Sequence, residues 1–225
     1  MTTAGLIAKK IGMTRMVDAE GQMTAVTLLQ VTQQKVTKIL TPERDGYHAI
    51  QVGYYPKAEK HLTKPDVARL RKVGVTDNFT RFREFRRAEA PKDLAIGAPV
   101  VIAALEGISA VDITGITKDR GFSGAHRRWN AAVGRMSHGS RFHRQPGSLG
   151  MRSTPGRVMK NRHQPGHMGD ERTTIMNLKV LDFDKENSVL AVRGSVPGHR
   201  EGFLVIRPSI KTKKKKAAAP APAKK

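Results

Sequence analysis

Residues 111–183 read VDITGITKDRGFSGAHRRWNAAVGRMSHGSRFHRQPGSLGMRSTPGRVMKNRHQPGHMGDERTTIMNLKVLDF. The two ends of this stretch, 111–118 and 173–183, are rich in apolar and β-branched residues and read as strands. Between them, from 118 to 168, neither a period of 2 nor one of 3.6 can be traced. This middle part holds eleven Lys or Arg, a single acid (Asp119), eight glycines and five of the chain's eight histidines. Fixing a backbone costs about 1–2 kcal/mol per residue, so ordering some 50 residues calls for compensation on the order of 50–100 kcal/mol. Phe122, Trp129, Phe142, Leu149, Val158 and a few methionines bury too little area for that. A long structureless stretch inside a domain is normally disordered or functional. Because the strand pattern stops and then resumes, the stretch reads as an insertion within one β domain.

Upstream of it, short apolar-alternating runs follow one another. Residues 6–10, 14–17 and 23–31 are strands on this pattern, with Gly12 marking a bend or bulge between the first two. Asp18-Ala19-Glu20-Gly21 is a turn signal, and the spacing of Val26, Leu28 and Leu29 fits a half-buried strand. Strands over 36–40 and 48–55 are separated by the turn-rich Pro42-Glu43-Arg44-Asp45-Gly46. The best helix candidate is 64–73, with Pro65 in its first turn and Gly74 at its C-terminal end. Residues 80–87 set Phe82 and Phe85 among Arg81, Arg83, Arg86 and Arg87, and 97–105 is a further strand. Downstream, 188–193 and 203–207 return to strand character, with Asp184-Lys185-Glu186-Asn187 as a turn. Many short strands at such spacing predict a mostly β protein, a small barrel or sandwich. Its domain comprises 1–117 and 169–210, with the extension 118–168 inserted. The end, KTKKKKAAAPAPAKK (211–225), is low-complexity, carries seven lysines, and is expected to be a disordered basic tail.

The whole chain has 225 residues, 41 Lys plus Arg against 19 Asp plus Glu, and a formal net charge of +22. A surplus that large needs a polyanion to neutralise it, and nucleic acid is the usual one. No apolar run is long enough to span a bilayer, and the N-terminal residues show no signal-peptide core, so neither a membrane nor secretion is expected. With no cysteine, disulfides and thiolate metal sites are excluded, and a cytoplasmic setting fits.

The insertion has the residue types that a folded RNA requires. Phosphate contacts are expected of Lys118, Arg120, Arg127, Arg128, Arg135, Arg141, Arg144, Arg152, Arg157, Lys160 and Arg162. Trp129, Phe142, His138, His143 and His167 offer faces for unpaired bases. Gly147, Gly150 and Gly156 allow close backbone approach to RNA. If the insertion doubles back as a hairpin, each arm of about 25 residues reaches ~80 Å at most. A flexible, nonspecific cationic loop is the plainer reading, but such tails look like 211–225 and not like this varied sequence.

Three rival functions are weaker. A metal-dependent nuclease would draw on His138, His143, His163 and His167. Pro165 interrupts the helix that an i, i+4 pair at His163/His167 requires, and the nearby acids are only Asp170 and Glu171. Acyl or phosphoryl transfer lacks a phosphate-binding glycine loop, and Ser137-His138 and Ser140 beside His143 are neighbours in sequence without a demonstrated geometry. A DNA-architectural protein would carry a recognition helix or a dimeric β-arm, whereas an irregular glycine-rich insertion suits irregular RNA. No metal, cofactor or small-molecule substrate is expected.

The chain resembles the bacterial ribosomal protein L-three family over residues 4–209. The resemblance rests on GLIAKKIGMT at 5–14, VDITGITKDRGFSG at 111–124, SHGSRFHRQPGSLG at 137–150, STPGRV at 153–158 and GHMGDERTTIMNL at 166–178, in that order. It implies a six-stranded translation-protein-type barrel on the large-subunit surface and an extension threading the rRNA toward the peptidyl-transferase centre. The tip of that extension would fall near Ser148 to Thr154. It further implies a role in early subunit assembly, support of the catalytic RNA, no enzymatic activity, and ribosomal proteins L-fourteen and L-nineteen as neighbours. Some members carry an N-methylated glutamine before the TPG turn. This chain has Ser153 there, after Met151 and Arg152, so that modification is expected to be absent.

Overall fold

A computed structural model of the chain describes residues 5–17, 21–87, 94–100 and 105–211. The expected turn at 18–21 therefore lies outside the described residues apart from Gly21, as do part of the strand expected at 97–105 and, beyond Lys211, the basic tail.

In chain order the elements are β1 (Leu6–Val17), β2 (Met23–Val31), β3 (Gln34–Leu40), α1 (Pro42–Asp45), β4 (Ala49–Pro56), a 3-10 turn (Glu59–His61), α2 (Lys64–Lys72) and β5 (Phe79–Arg86). Then come β6 (Ala110–Ile116), β7 (Phe122–Ser123), α3 (Ala125–Trp129), β8 (Gly166–His167), β9 (Arg172–Asp184), β10 (Val189–Arg193) and β11 (Phe203–Pro208). The protein is mostly β, as its sequence pattern predicts. It divides into two units, one comprising 1–115 and 173–225, the other 116–172.

In the first unit, six strands close on themselves in the order β1-β11-β6-β9-β10-β2. The alternation of each strand decides which side chains go inside. Leu6, Ala8, Leu29, Val111, Ile113, Leu190, Val192, Leu204 and Ile206 interdigitate in the interior. β1 is a single strand rather than two, with the register slipping between Lys10 and Gly12, so the bulge bends it without ending it. Leu28 is only half-buried, whereas Thr27 is fully buried and its hydroxyl donates to Gly194 O at 2.6 Å.

The join between β6 and β9 uses side chains as well as backbone. Asn177, at φ 58°, donates its N–H to Asp112 Oδ1 at 2.8 Å, while Asp112 Oδ2 accepts from Ile210 N at 3.2 Å. The Thr114 and Thr174 hydroxyls meet at 2.8 Å.

A three-stranded sheet, β3-β4-β5, packs Val36, Ile50, Val52 and Phe85 onto Ile7 and Val205. Gln34 ties the two sheets together: its buried amide accepts from Ile7 N at 3.2 Å and donates to Ile7 O at 3.3 Å. Residues 97–100 run beside β3, with Gly97 N bonded to Val36 O and Val100 N to Gln34 O.

Two local expectations change form. The turn expected at 42–46 is one helical turn: Pro42 starts it and Gly46, at φ 82°, ends it. Both signals serve a turn and a helix equally. The helix expected over 64–73 ends at Lys72, and Gly74 takes φ 79° just beyond.

Candidate nucleic-acid interface

The second unit, 116–172, is the basic insertion, and it doubles back on itself. Its base is a short ladder. Thr117 N donates to Glu171 O at 2.9 Å, Arg120 N to Met168 O at 2.8 Å, and Met168 N to Gly121 O at 2.9 Å. β7 and β8 extend it by pairing Phe122 with His167 and Ser123 with Gly166. The ladder needs glycine at 169: with φ 92°, a Cβ there would run into Lys118 O. Asp119, the acid of the stretch, accepts from Gly121 N at 2.8 Å and lies 3.5 Å from His167 Nε2, so it braces the stem.

Beyond the ladder, α3 ends at Asn130 in the left-handed conformation. Trp129 stacks on His163 with ring centroids 4.5 Å apart and planes 6° from parallel. The indole N–H donates to Gln164 O at 2.9 Å, and Arg128 Nη1 donates to the same oxygen at 3.2 Å. One face of Trp129 is thus used within the chain, and the Arg128 guanidinium lies 5.0 Å from the centre of its ring. The sequence reading weighs His163 as a metal ligand against a solvated or RNA-stacking histidine, and does not pair it with Trp129. Nothing local pairs it with a tryptophan 34 positions away, so sequence patterning carries no signal for this contact.

Further out, Gly134 N donates to His143 O at 2.8 Å, and His143 Nδ1 lies 2.9 Å from Arg135 O. A Cβ at Gly134 would strike Phe142 O, so this pinch also requires glycine. His138 turns the chain at φ 57°. At the far end, Ser148 Oγ donates to Gly150 O at 2.9 Å, and Arg162 Nη2 donates to Ser148 O. Thr154 and Gly156 lie in the turn after Arg152; Gly156 has φ 65°.

All of the eleven cations between 118 and 168 are exposed except Arg128, which is half-buried. Among the described residues, none of the eleven is ion-paired with a carboxylate. Arg128 and Arg162 bond backbone carbonyls through their side chains. The side chains of Lys118, Arg120, Arg127, Arg135, Arg141, Arg144, Arg152, Arg157 and Lys160 have no such partner among those residues. Apolar groups are also left outside: Phe122 is 80% and Met151 83% exposed, and Phe142 is exposed as well. The arrangement is a hairpin held by main-chain bonds and a few side-chain contacts, with its cations turned outward and unpaired with carboxylates among the described residues.

Among the described residues, no three His, Asp or Glu side chains converge, and His163 and His167 sit on separate segments. No helix there is long and apolar enough to cross a membrane.

A β body bearing a long cationic arm without internal counter-charge defines a polyanion-binding protein of structural type. Comparison with known proteins makes this specific. Residues 85–189 match the family described as Ribosomal protein L3. The chain is 39% identical over 207 residues to the large ribosomal subunit protein uL3 of Alkaliphilus metalliredigens, covering 92% of this chain and 98% of that protein. It is 40% identical over 215 residues to the uL3 of Burkholderia lata, covering 95% and 99%. Against the uL3 of Synechococcus sp. it is 40% identical over 205 residues, covering 91% and 95%. The chain belongs to the ribosomal protein L3 family.

Proposed function

We propose that this chain is a structural constituent of the bacterial large ribosomal subunit that binds its rRNA through the 118–168 arm. It acts in the cytoplasm as part of the ribosome and is not an enzyme; its partners are rRNA and other ribosomal proteins. The observation that carries the reading is the arm's set of outward, carboxylate-free cations. In isolation they repel one another, and phosphate is the counter-charge they lack.

On this reading the closed six-stranded body, of translation-protein type, comprises 1–117 and 169–210 and rests on the subunit surface. The arm enters the RNA. Lys118 and Arg120 contact phosphate near the stem, Arg127 and Arg128 at α3, and Arg135, Arg141 and Arg144 along the outgoing limb. Arg152, Arg157, Lys160 and Arg162 do so at the tip and return. Phe142, His138, His143 and the exposed part of Trp129 take unpaired bases. Gly147, Ser148, Gly150, Thr154 and Gly156 form the tip nearest the peptidyl-transferase centre, and His167 closes the stem. Early assembly of the subunit, and neighbours of the L-fourteen and L-nineteen families, complete the proposal.

Co-sedimentation tests it. The protein is expected to travel with large subunits and to remain bound through a moderate-salt wash. It should also prefer folded rRNA fragments over duplex DNA at matched salt. Equal affinity for both, with full release in moderate salt, contradicts the reading.

A further inference from the structure

The arm forms a half-open cavity of about 260 Å3 that charge alone does not account for. Ala125, Ala131, Pro146 and Leu149 supply apolar wall, and Arg162 and His163 also line it. Pockets for drug-sized ligands run to about 300–1,000 Å3, so this one suits a single planar ring system. The bond from Arg162 Nη2 to Ser148 O joins the outgoing and returning limbs at the cavity, so both of its sides are fixed to one another. None of its lining residues is acidic, which disfavours a cationic guest. His163 already stacks on Trp129, and a ring entering beside it would extend a two-ring stack to three.

We propose that this cavity takes one unpaired nucleobase of the large-subunit rRNA, lifted out of its stack, with its flanking phosphate on Arg162. The inference rests on the arm being the RNA-contacting part. The charge of the arm selects the occupant: a planar ring that arrives attached to phosphate satisfies both the apolar wall and the Arg162 guanidinium that lines it. An apolar peptide side chain from a neighbouring protein would satisfy only the first.

Two substitutions fill the cavity from different segments of its wall. Ala131→Leu enlarges a half-buried wall residue. Leu149→Trp enlarges an exposed wall residue to which no RNA contact is assigned. Full-length wild type and both variants are assembled with large-subunit rRNA, and each nucleotide is probed with dimethyl sulfate and a 2′-hydroxyl acylating reagent. Wild type is expected to protect one isolated unpaired nucleotide. Both variants should raise its reactivity by roughly tenfold, the equivalent of one lost base–aromatic stack, and leave the salt dependence of overall binding as it was. Variant footprints identical to wild type at every nucleotide overturn the pocket assignment while leaving the proposed function standing. A wild-type protein that leaves no footprint at all overturns both.

Discussion

Gln34 joins two sheets through a single side chain. Replacing it by Leu keeps its volume and removes the acceptor of the Ile7 N–H, while Ile7 O still has Thr32. A buried, unpaired N–H costs about 1–3 kcal/mol. In a chain of this size that lowers Tm by roughly 3–10 °C, which calorimetry would detect, and an unchanged Tm would show that the amide is not a strut. The arm has its own residue-scale constraint at Gly134 and Gly169, where any side chain meets Phe142 O or Lys118 O. Gly134→Ala is expected to loosen the pinch to His143, read in the rRNA-bound protein as faster hydrogen exchange of the amide at position 134 than in wild type; equal protection there would contradict the constraint. Neither Gln34 nor the Trp129–His163 stack was legible in the sequence. A polar residue at the start of a strand looks ordinary, and a contact across 34 positions leaves no periodic trace. The cations of the arm were legible because charge density needs no geometry to be seen.

The turn between β9 and β10 is pH-sensitive through Asp184. The hydrogen bonds to Asp184 from the Asn187 side chain, and then from the Asn187 and Glu186 backbones, hold its carboxyl below the usual carboxylate range. A lowered folded-state value means that the turn's stabilisation is fully present above the unfolded value of ~4 and fades as pH falls through the lower folded value. Asp184→Asn should therefore be less stable than wild type at neutral pH, with the gap closing in acid. A gap that is constant with pH would show that the carboxylate's charge does not matter. The strands were readable because period-2 alternation follows directly from burial on one face, as at Leu6, Ala8, Val111 and Ile113. Where one signal serves two structures, the reading fell short: Pro42 with Gly46 gave a helical turn in place of an open one, and the bulge expected at Gly12 is present but leaves β1 one strand where two were expected.

At the scale of the whole molecule, the body has a core, and the arm has hydrogen bonds and one ring stack with its large apolar groups outside. Amides of β1, β2 and β6 should therefore exchange slowly in free protein, and those of 118–168 quickly until rRNA is bound. Strong protection of the arm without RNA would contradict this. The most direct test of the central claim separates the arm's charge from the fold. Arg141, Arg144, Arg152 and Arg157 are exposed and make no side-chain hydrogen bond or ion pair among the described residues. Replacing all four with Ala should leave Tm nearly unchanged, since such surface substitutions each alter stability by within about 0.5 kcal/mol. The measurement is the log–log salt dependence of rRNA binding, whose slope should fall by ~3 units if each arginine holds one phosphate at ~0.7–0.9 per contact. A variant that melts far lower while its salt slope stays at the wild-type value would show that the arm serves the protein's own core and not the RNA.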